Sequence, residues 1–501
     1  MTQPLIRPVD PARKQARTFA AIWSFITMMM GAATFLGIYF AYPQVRPALA
    51  AIIQPLQPST GGSTTSGPLV AASPTAVPST PTSQPSATPT TEANSTEQAM
   101  PSDGGTAVAQ VYLPTFAPPP ATPTLPPTAT PTPRPVDERR FEAGIQVQFA
   151  LSFNPEEQRG YYRSVAHDLK LPWVKQQIIW EYFEPQRGQY DWSVSDFVMP
   201  IAQEFGLKVV FSVLRAPAWA REPGGDMSKT GPPANPQDYA NFVGQLLRRY
   251  PGQIQAIEVW NEMNIDREWA SPRGVNATDY VRLLRPTYEM IKSIDPGVMV
   301  IIGALAPTGF DNNFNAINDF RYTDLLIAAG ALDYADCFGS HLNGFNMPPL
   351  VRWDEGYNDP TAIFRGPFDN PHHSWSFRST LEGYAARIRA AGSNMPICVT
   401  EFGWAVAEDL PTDVKPGFEF ARDNTLAEQA QWMPQALEFM ANSGYVRLGI
   451  VWNFNYGPQA GWDASQNDNV AYSLIGPGFH FRPAYDTIRE WQRIYSARAG
   501  F

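Results

Sequence analysis

The stretch IQAIEVWNE, at residues 254–262, places a glutamate at the end of a short apolar run, and the stretch PICVTEFGW, at residues 396–404, surrounds Glu401 in the same way. Short apolar runs rich in branched and aromatic side chains are typical of buried β-strands. Each stretch therefore predicts a strand that is buried along most of its length and ends at a carboxylate.

Similar runs recur through residues 137–501 and alternate with segments of helical spacing. In one such segment, apolar residues recur at helical intervals after Asn235, which we expect to cap a helix with Pro236 in its first turn. Eight strands, each followed by a helical segment, predict a (β/α)8 TIM barrel over this region. The strand candidates are 144–152, 172–180, 207–214, 254–261, 298–305, 337–342, 396–401 and 446–453.

Both glutamates fall where a barrel of this kind carries its active site, at the C-terminal ends of the strands. Side chains alternate along a strand, so Trp260 shares a face with Glu262, and Val399 shares one with Glu401. If those faces point inward, both carboxylates reach the barrel mouth. Glu258 has the same parity at a deeper position, and we expect it to pair with a buried cation, Lys175.

A pair of carboxylates at one barrel mouth suits the cleavage of glycosidic bonds. One carboxyl group must carry a proton to give to the leaving oxygen, while the other must be ionised to attack the anomeric carbon. The distance between the two groups decides between retention and inversion of the anomeric configuration, and the sequence does not contain that distance.

The two motifs resemble those of the retaining glycoside hydrolases of clan A, and most of all families 39 and 5, over residues 141–495. The resemblance implies that Glu262 is the acid/base and Glu401 the nucleophile. It also implies that Asn261 bonds the sugar 2-hydroxyl, that His341 orients the nucleophile, and that Trp452 forms the floor of the innermost subsite.

One residue departs from the pattern of the clan. Many members carry an arginine on the second strand that contacts the nucleophile, whereas this chain has Lys175. Lysine keeps the charge but loses the two-pronged geometry of a guanidinium. Arg215, at the end of the third strand, is a candidate to compensate. Because both reacting carboxylates come from the protein, no metal and no organic cofactor is expected.

Composition narrows the classes of partner. The formal net charge is −10 and no run of basic residues is visible, which argues against a nucleic-acid partner. Aromatic residues make up 13% of the chain, including 14 Trp, and this content suits either a large core or a cleft that stacks sugar rings. The candidates for stacking are Trp219, Trp260, Trp404, Trp452 and Trp462.

The chain has two cysteines, Cys337 and Cys398, on neighbouring predicted strands. By strand alternation Cys337 shares a face with His341, whereas Cys398 lies opposite to Glu401. Side chains that point to different faces do not form a disulfide without distortion. We therefore expect two buried free thiols.

The N-terminal region carries a predicted membrane anchor. Residues 18–45 contain no charged residue and are long enough to span a bilayer as a helix. Basic residues are concentrated before this segment, so the positive-inside rule keeps residues 1–17 in the cytoplasm and places the rest of the chain outside. These basic residues are Arg7, Arg13, Lys14 and Arg17. The alternative is a signal peptide cleaved near Ala48-Leu49-Ala50, with secretion of the remainder.

Residues 46–136 are dominated by proline, threonine, serine and alanine. Such a composition cannot bury enough apolar surface to offset the entropy lost on ordering, so this region is predicted to be a disordered linker.

The sequence thus predicts a membrane-anchored extracellular glycosidase that hydrolyses O-glycosidic bonds of a β-linked polysaccharide or oligosaccharide by a retaining mechanism. Two other classes remain open, a carbohydrate-binding pseudoenzyme and a stalked surface adhesion protein. The sugar, the linkage and the oligomeric state are not encoded in these motifs.

Overall fold

A computed structural model describes residues 140–148, 155–357, 372–458 and 461–500 of the chain. The segments predicted as cytoplasmic (1–17), membrane-spanning (18–45) and linker (46–136) lie outside these residues, and they remain predictions. Within the described ranges, no helix combines the length and the apolar character needed to cross a bilayer.

The described residues contain the predicted barrel. Eight strands form one closed sheet in chain order, in which every neighbouring pair is parallel and the last strand pairs with the first. The strands are β1 (Glu142–Gln146), β2 (Trp173–Ile179), β3 (Lys208–Leu214), β4 (Ala256–Val259), β5 (Met299–Leu305), β6 (Cys337–Gly344), β7 (Ile397–Trp404) and β8 (Val446–Val451). All eight predicted strands are present. The largest difference is at β1, which was predicted over residues 144–152 and ends at Gln146, while the ends of the other strands differ by at most three residues.

Helices surround the barrel between and after the strands. Asn235 accepts a hydrogen bond from the backbone N–H of Gln237 and caps the helix between β3 and β4. The first turn of this helix contains Pro236, as predicted. The helices are α1 (Pro155–Arg163), α2 (Trp180–Phe183), α3 (Ser193–Glu204), α4 (Pro236–Arg249), α5 (Ala277–Ile294), α6 (Asp319–Ala328), α7 (Phe377–Ala390), α8 (Leu426–Asn442) and α9 (Pro483–Ala499).

The end of β4 does not follow simple alternation. The strand stops at Val259, and the backbone then turns at Trp260 (φ +75°) and again at Glu262 (φ +42°). Trp260 is fully buried against Tyr239 of α4 and Trp269, on the side of the helices. The prediction that Trp260 faces into the barrel is wrong, because the left-handed turn reverses its direction. Glu262 nevertheless reaches the barrel mouth.

A bulge also interrupts alternation in β7. Ser340 of β6 pairs with Val399, but the next residue, His341, pairs with Glu401, so that Thr400 is an extra residue in β7. Val399 therefore belongs to the core shared with the helices, whereas Thr400 points inward and donates a hydrogen bond to Glu258. The predicted inward direction of Val399 is wrong, and the bulge is the reason that Glu401 still faces inward.

The same bulge corrects the prediction for the cysteines. Cys337 and Cys398 lie together in the lower interior of the barrel and form a disulfide, with their Cα atoms 5.8 Å apart. The expectation of two free thiols is wrong. It assumed that Cys398 and Glu401 face opposite sides, but the extra residue at Thr400 places both on the inner face.

Candidate active site

A buried lysine joins two carboxylates in the wall of the barrel. Nζ of Lys175, on β2, lies 3.0 Å from Oε1 of Glu401 and 3.1 Å from Oε2 of Glu258, and it donates a third bond to the backbone oxygen of Thr400. Burial lowers the pKa of Lys175, but the charges of Glu258 and Glu401 outweigh it, and the pKa is raised. The ammonium is therefore charged, and the predicted contact between Glu258 and Lys175 is present.

His341, on β6, lies between the two glutamates that end the sequence motifs. Its Nδ1 is 3.1 Å from Oε1 of Glu262, and its Nε2 is 3.5 Å from Oε1 of Glu401. Burial lowers the pKa of His341, but Glu401 and the hydrogen bond with Glu262 raise it above the usual value. His341 therefore contacts both carboxylates, whereas the resemblance implied a role toward Glu401.

The second oxygen of Glu262 is held by a residue that the sequence analysis did not select. Nη2 of Arg267 donates to Oε2 of Glu262 at 2.7 Å. Burial raises the pKa of Glu262, but the hydrogen bond from His341 and the charge of Arg267 outweigh it and lower the pKa to about 2. With these partners Glu262 is ionised, although a general acid must carry a proton.

A further carboxyl group, that of Glu268, lies beside the same arginine. Nε of Arg267 is 3.3 Å from Oε1 of Glu268. Burial and the negative charge of Glu262 raise the pKa of Glu268 to about 7, against the lowering effect of Arg267. Near neutral pH this site therefore holds a proton on Glu268 in preference to Glu262.

The other predicted site residues separate into two groups. Asn261 and Trp452 line the same cleft as Glu262 and Glu401, and the side-chain oxygen of Asn261 has no hydrogen-bond partner among the described residues. Arg215 also lines the cleft, but its guanidinium pairs with Glu181 at 2.6 Å. It does not provide the contact with the nucleophile that was considered for it.

The cleft has a volume of about 1030 Å³, which is large enough for several sugar rings. Its walls come from the loops that follow the strands. Aromatic side chains line it from several of these loops, and Phe310 is the most exposed of them, at 58%. The aromatic lining residues are Phe310, Phe345, Phe418, Phe420, Trp452 and Tyr472.

Two tryptophans considered for sugar stacking are excluded by burial. Trp260 and Trp404 have no exposed surface. Trp219 is partly exposed and lies outside the cleft lining, where it contacts Trp180 edge to face and donates to the backbone oxygen of Glu184.

Arg267, Glu268 and Phe310 lie on loops without periodic spacing, so pattern analysis did not find them. The sequence did contain one indication of this charged cluster. The charged run Asp266-Arg267-Glu268 follows shortly after Glu262, at the edge of the barrel where active sites form. In the part of the chain that the structure describes, no group of three or more His, Cys, Asp or Glu side chains is arranged to hold a metal ion.

No family model matches the sequence. Solved structures of similar fold include a family 39 glycoside hydrolase from the gut symbiont Bacteroides cellulosilyticus WH2, with 17% sequence identity and a TM-score of 0.48, covering 72% of this chain and 64% of that one. Family 39 is one of the two families that the strand-end motifs resemble.

Two further structures are similar. One is exo-beta-1,4-mannosidase Op5Man5 from Opitutaceae bacterium strain TAV5, with 15% identity and a TM-score of 0.46, covering 72% of this chain and 60% of that one. The other is xylanase 10B from Thermotoga petrophila RKU-1 in complex with xylobiose, with 14% identity and a TM-score of 0.46, covering 71% of this chain and 95% of that one. The match spans less than two thirds of the family 39 protein and of the mannosidase. At these identities the similarity is one of fold.

Proposed function

We propose that this chain is a glycosidase that hydrolyses O-glycosidic bonds of a β-linked glycan with retention of configuration. In this proposal Glu401 is the nucleophile and Glu262 is the acid/base. The observation that carries it is the bridge through His341, whose two ring nitrogens approach Glu262 and Glu401 at the floor of one aromatic-lined cleft.

The reaction proceeds in two displacements. Glu401 attacks the anomeric carbon while Glu262 donates a proton to the leaving oxygen, which gives a glycosyl-enzyme and a free alcohol. Glu262 then takes a proton from water, and the water oxygen displaces Glu401 from the anomeric carbon. The assignment of Glu401 as nucleophile is supported by Lys175, whose buried ammonium lies 3.0 Å from Oε1 and supplies a counter-charge for the carboxylate.

Charged side chains line the cleft on several sides. The carboxyl groups are Glu262, Asp266, Glu268, Glu401 and Asp468, and the cations are Arg215, Arg267 and Lys415. The unpaired side-chain oxygen of Asn261 is available to accept a bond from a sugar hydroxyl.

The proposed location is outside the cytoplasm, with residues 18–45 as the membrane anchor and residues 46–136 as the tether. The Cys337–Cys398 disulfide supports this location, because disulfides form and persist in oxidising compartments and are rare in the cytosol. Secretion after signal cleavage is the alternative, and it is equally compatible with the disulfide.

A second candidate function is a carbohydrate-binding pseudoenzyme. The ionised state of Glu262 beside His341 and Arg267, with its pKa at about 2, favours this candidate, because an ionised carboxylate cannot act as an acid. A pseudoenzyme binds glycans without turnover, and replacing either glutamate leaves its behaviour unchanged.

The test is hydrolysis of β-linked xylo-, gluco- and manno-oligosaccharides by the full chain, followed through the release of reducing ends. Turnover with retained anomeric configuration, observed by proton NMR of the first product, is expected. Glu262→Gln and Glu401→Gln should each lower turnover by at least about a hundredfold. Glu289→Gln, which changes an exposed helix pair with Arg285, is the matched control. Binding without turnover across the panel would instead identify the pseudoenzyme.

A further inference from the structure

Arg267 is bonded to the carboxylate oxygen of Glu262 that would donate the proton to a substrate. Oε1 of Glu262 is held by His341, so Oε2 is the oxygen from which a proton can be given to a leaving group. Nη2 of Arg267 lies 2.7 Å from that oxygen. A leaving oxygen must come within a similar distance of Oε2, and the guanidinium competes with it for that oxygen.

The guanidinium already contacts a second carboxyl group through another of its nitrogens. Its Nε lies 3.3 Å from Oε1 of Glu268, while the Arg267 side chain is 60% exposed. The Glu262 and Glu268 side chains are only 13% and 15% exposed, so whichever of them is ionised depends on Arg267 for compensation of its charge.

The charged groups that face this pair come from several strands. Arg267 and Glu268, from the loop after β4, and His341, from β6, lie beside Glu262. Glu401, from β7, contacts Nε2 of His341, the ring nitrogen that faces away from Glu262, and its charge also acts on Glu268. The charge of Asp468, which follows β8, acts on Arg267.

We propose that Arg267 is a positioning residue that moves from Glu262 to Glu268 when a sugar enters the leaving-group side of the cleft, and that one proton moves from Glu268 to Glu262 at the same time. This inference rests on the proposed function. Charge and proton number are unchanged: the pair holds one proton before and after the exchange, and Arg267 remains beside the ionised member. The exchange converts the ionised Glu262 of the empty cleft into the acid that the first displacement needs.

The pKa values of the empty cleft support the direction of this exchange. The pKa of Glu262 is lowered to about 2, where burial is outweighed by His341 and Arg267, while burial and the charge of Glu262 raise that of Glu268 to about 7. Removing Arg267 from Glu262 therefore raises the pKa of Glu262, and bringing it to Glu268 lowers that of Glu268.

Two variants should shift the pH dependence in opposite directions. The probes are dinitrophenyl and methylphenyl β-glycosides of xylose, glucose and mannose with the full chain. For the methylphenyl glycosides, whose leaving group needs a proton, Arg267→Gln should move the basic limb of kcat/KM by about one pH unit or more to higher pH, and Glu268→Gln should move it to lower pH. The dinitrophenyl glycosides need little acid assistance, and their basic limb should not move.

Arg273→Gln is the matched control. Arg273 lies on the same loop, is 56% exposed, and pairs with Glu222 and Asp279 instead of the two cleft carboxylates. Its pH profile should equal that of the parent. Loss of kcat/KM in Arg267→Gln and Glu268→Gln without any movement of the basic limb would overturn the exchange and leave both residues with a structural role.

A readout without turnover separates this inference from the proposed function. Infrared absorption of the empty full chain should contain a carboxylic-acid band that titrates near neutral pH and is absent in Glu268→Gln. In Arg267→Gln a new band should appear that the further change Glu262→Gln removes. Absence of both bands would overturn the inference even if the enzyme is active. If both bands are present but the chain hydrolyses none of the glycosides, the proton on Glu268 is supported and the proposed glycosidase function is rejected.

Discussion

Lys175 Nζ and Glu401 Oε1 lie 3.0 Å apart at a point where the lysine side chain has no exposed surface. The same ammonium contacts Glu258, so one cation compensates two carboxylates inside the barrel wall. Lys175 therefore makes the contact with the candidate nucleophile that the sequence resemblance implied for an arginine. The departure observed in the sequence does not leave Glu401 without a counter-charge.

Replacing Lys175 with methionine should both destabilise and inactivate the protein. Glu258 and Glu401 would be left buried without a cation, and the loss of one partner from a buried ionic group costs about 3–5 kcal/mol. The measurement is urea unfolding of the variant beside its parent. Lys208→Met is the control, because Lys208 is 41% exposed and pairs with Glu142 at the surface, where a pair contributes at most about 1 kcal/mol. Equal stability of Lys175→Met and the parent would contradict the buried triad.

The disulfide between Cys337 and Cys398 should raise thermal stability. It closes a loop with a sequence separation of 61, and the chain-entropy model gives a contribution on the order of 4 kcal/mol. We expect Cys337→Ala/Cys398→Ala to melt at a lower temperature than the parent and to be insensitive to reductant. Thiol titration of the unfolded parent should detect free thiols only after reduction. Free thiols before reduction, in protein from an oxidising compartment, would argue against the disulfide.

The raised pKa of Glu268 should make stability depend on pH between its unfolded and folded values. The folded pKa is about 7 against an ordinary 4.5, so the folded state holds more protons than the unfolded state in this window, and stability falls as pH rises through it. Glu268→Gln has no proton to lose and should lack that decline, which amounts to at most about 3 kcal/mol.

The corresponding measurement is urea unfolding of the parent and Glu268→Gln at about pH 5 and about pH 8. Between the lower and the higher pH, the unfolding free energy of the parent should fall relative to that of Glu268→Gln. A difference that is the same at both pH values would show that Glu268 is not protonated in the folded state.

Phe310 should contribute to the binding of oligosaccharides but not of short aryl glycosides. It is 58% exposed at the cleft wall, where an aromatic ring can cover the apolar face of a sugar. Phe310→Ala should raise the KM for oligosaccharides about tenfold, equivalent to about 1.4 kcal/mol, and leave that for aryl monoglycosides unchanged. Phe479→Ala, with 55% exposure outside the cleft, is the control. An equal rise for both substrate lengths would place Phe310 at the innermost subsite instead.

The sequence was sufficient to predict the barrel, its eight strands and two glutamates near the C-terminal ends of β4 and β7, because apolar runs and the polar residues beside them are local features. In the structure Glu262 follows the end of β4 at Val259, and Glu401 lies within β7, before its last residue, Trp404. The inward direction of the two carboxylates was predicted from alternation that the structure does not keep. A left-handed turn at Trp260 and an extra residue at Thr400 each reverse the alternation. The carboxylates reach the mouth because these irregularities lie before them in the chain.

The disulfide was missed for the same reason, since a bulge is set by the pairing of two strands and leaves no mark in either strand alone. Arg267 and Glu268 were missed because their role depends on a loop that folds back over Glu262. Their contacts with it are fixed by loop conformation, which periodic patterns do not report.

The central claim is that Glu401 forms a covalent bond with the sugar, and azide rescue tests it most directly. The full chain and Glu401→Ala are compared on dinitrophenyl β-glycosides, with and without added azide. The account predicts activity in the parent, its loss in the variant, and partial recovery with azide as a glycosyl azide of inverted configuration. Activity that survives in Glu401→Ala without azide would contradict the account.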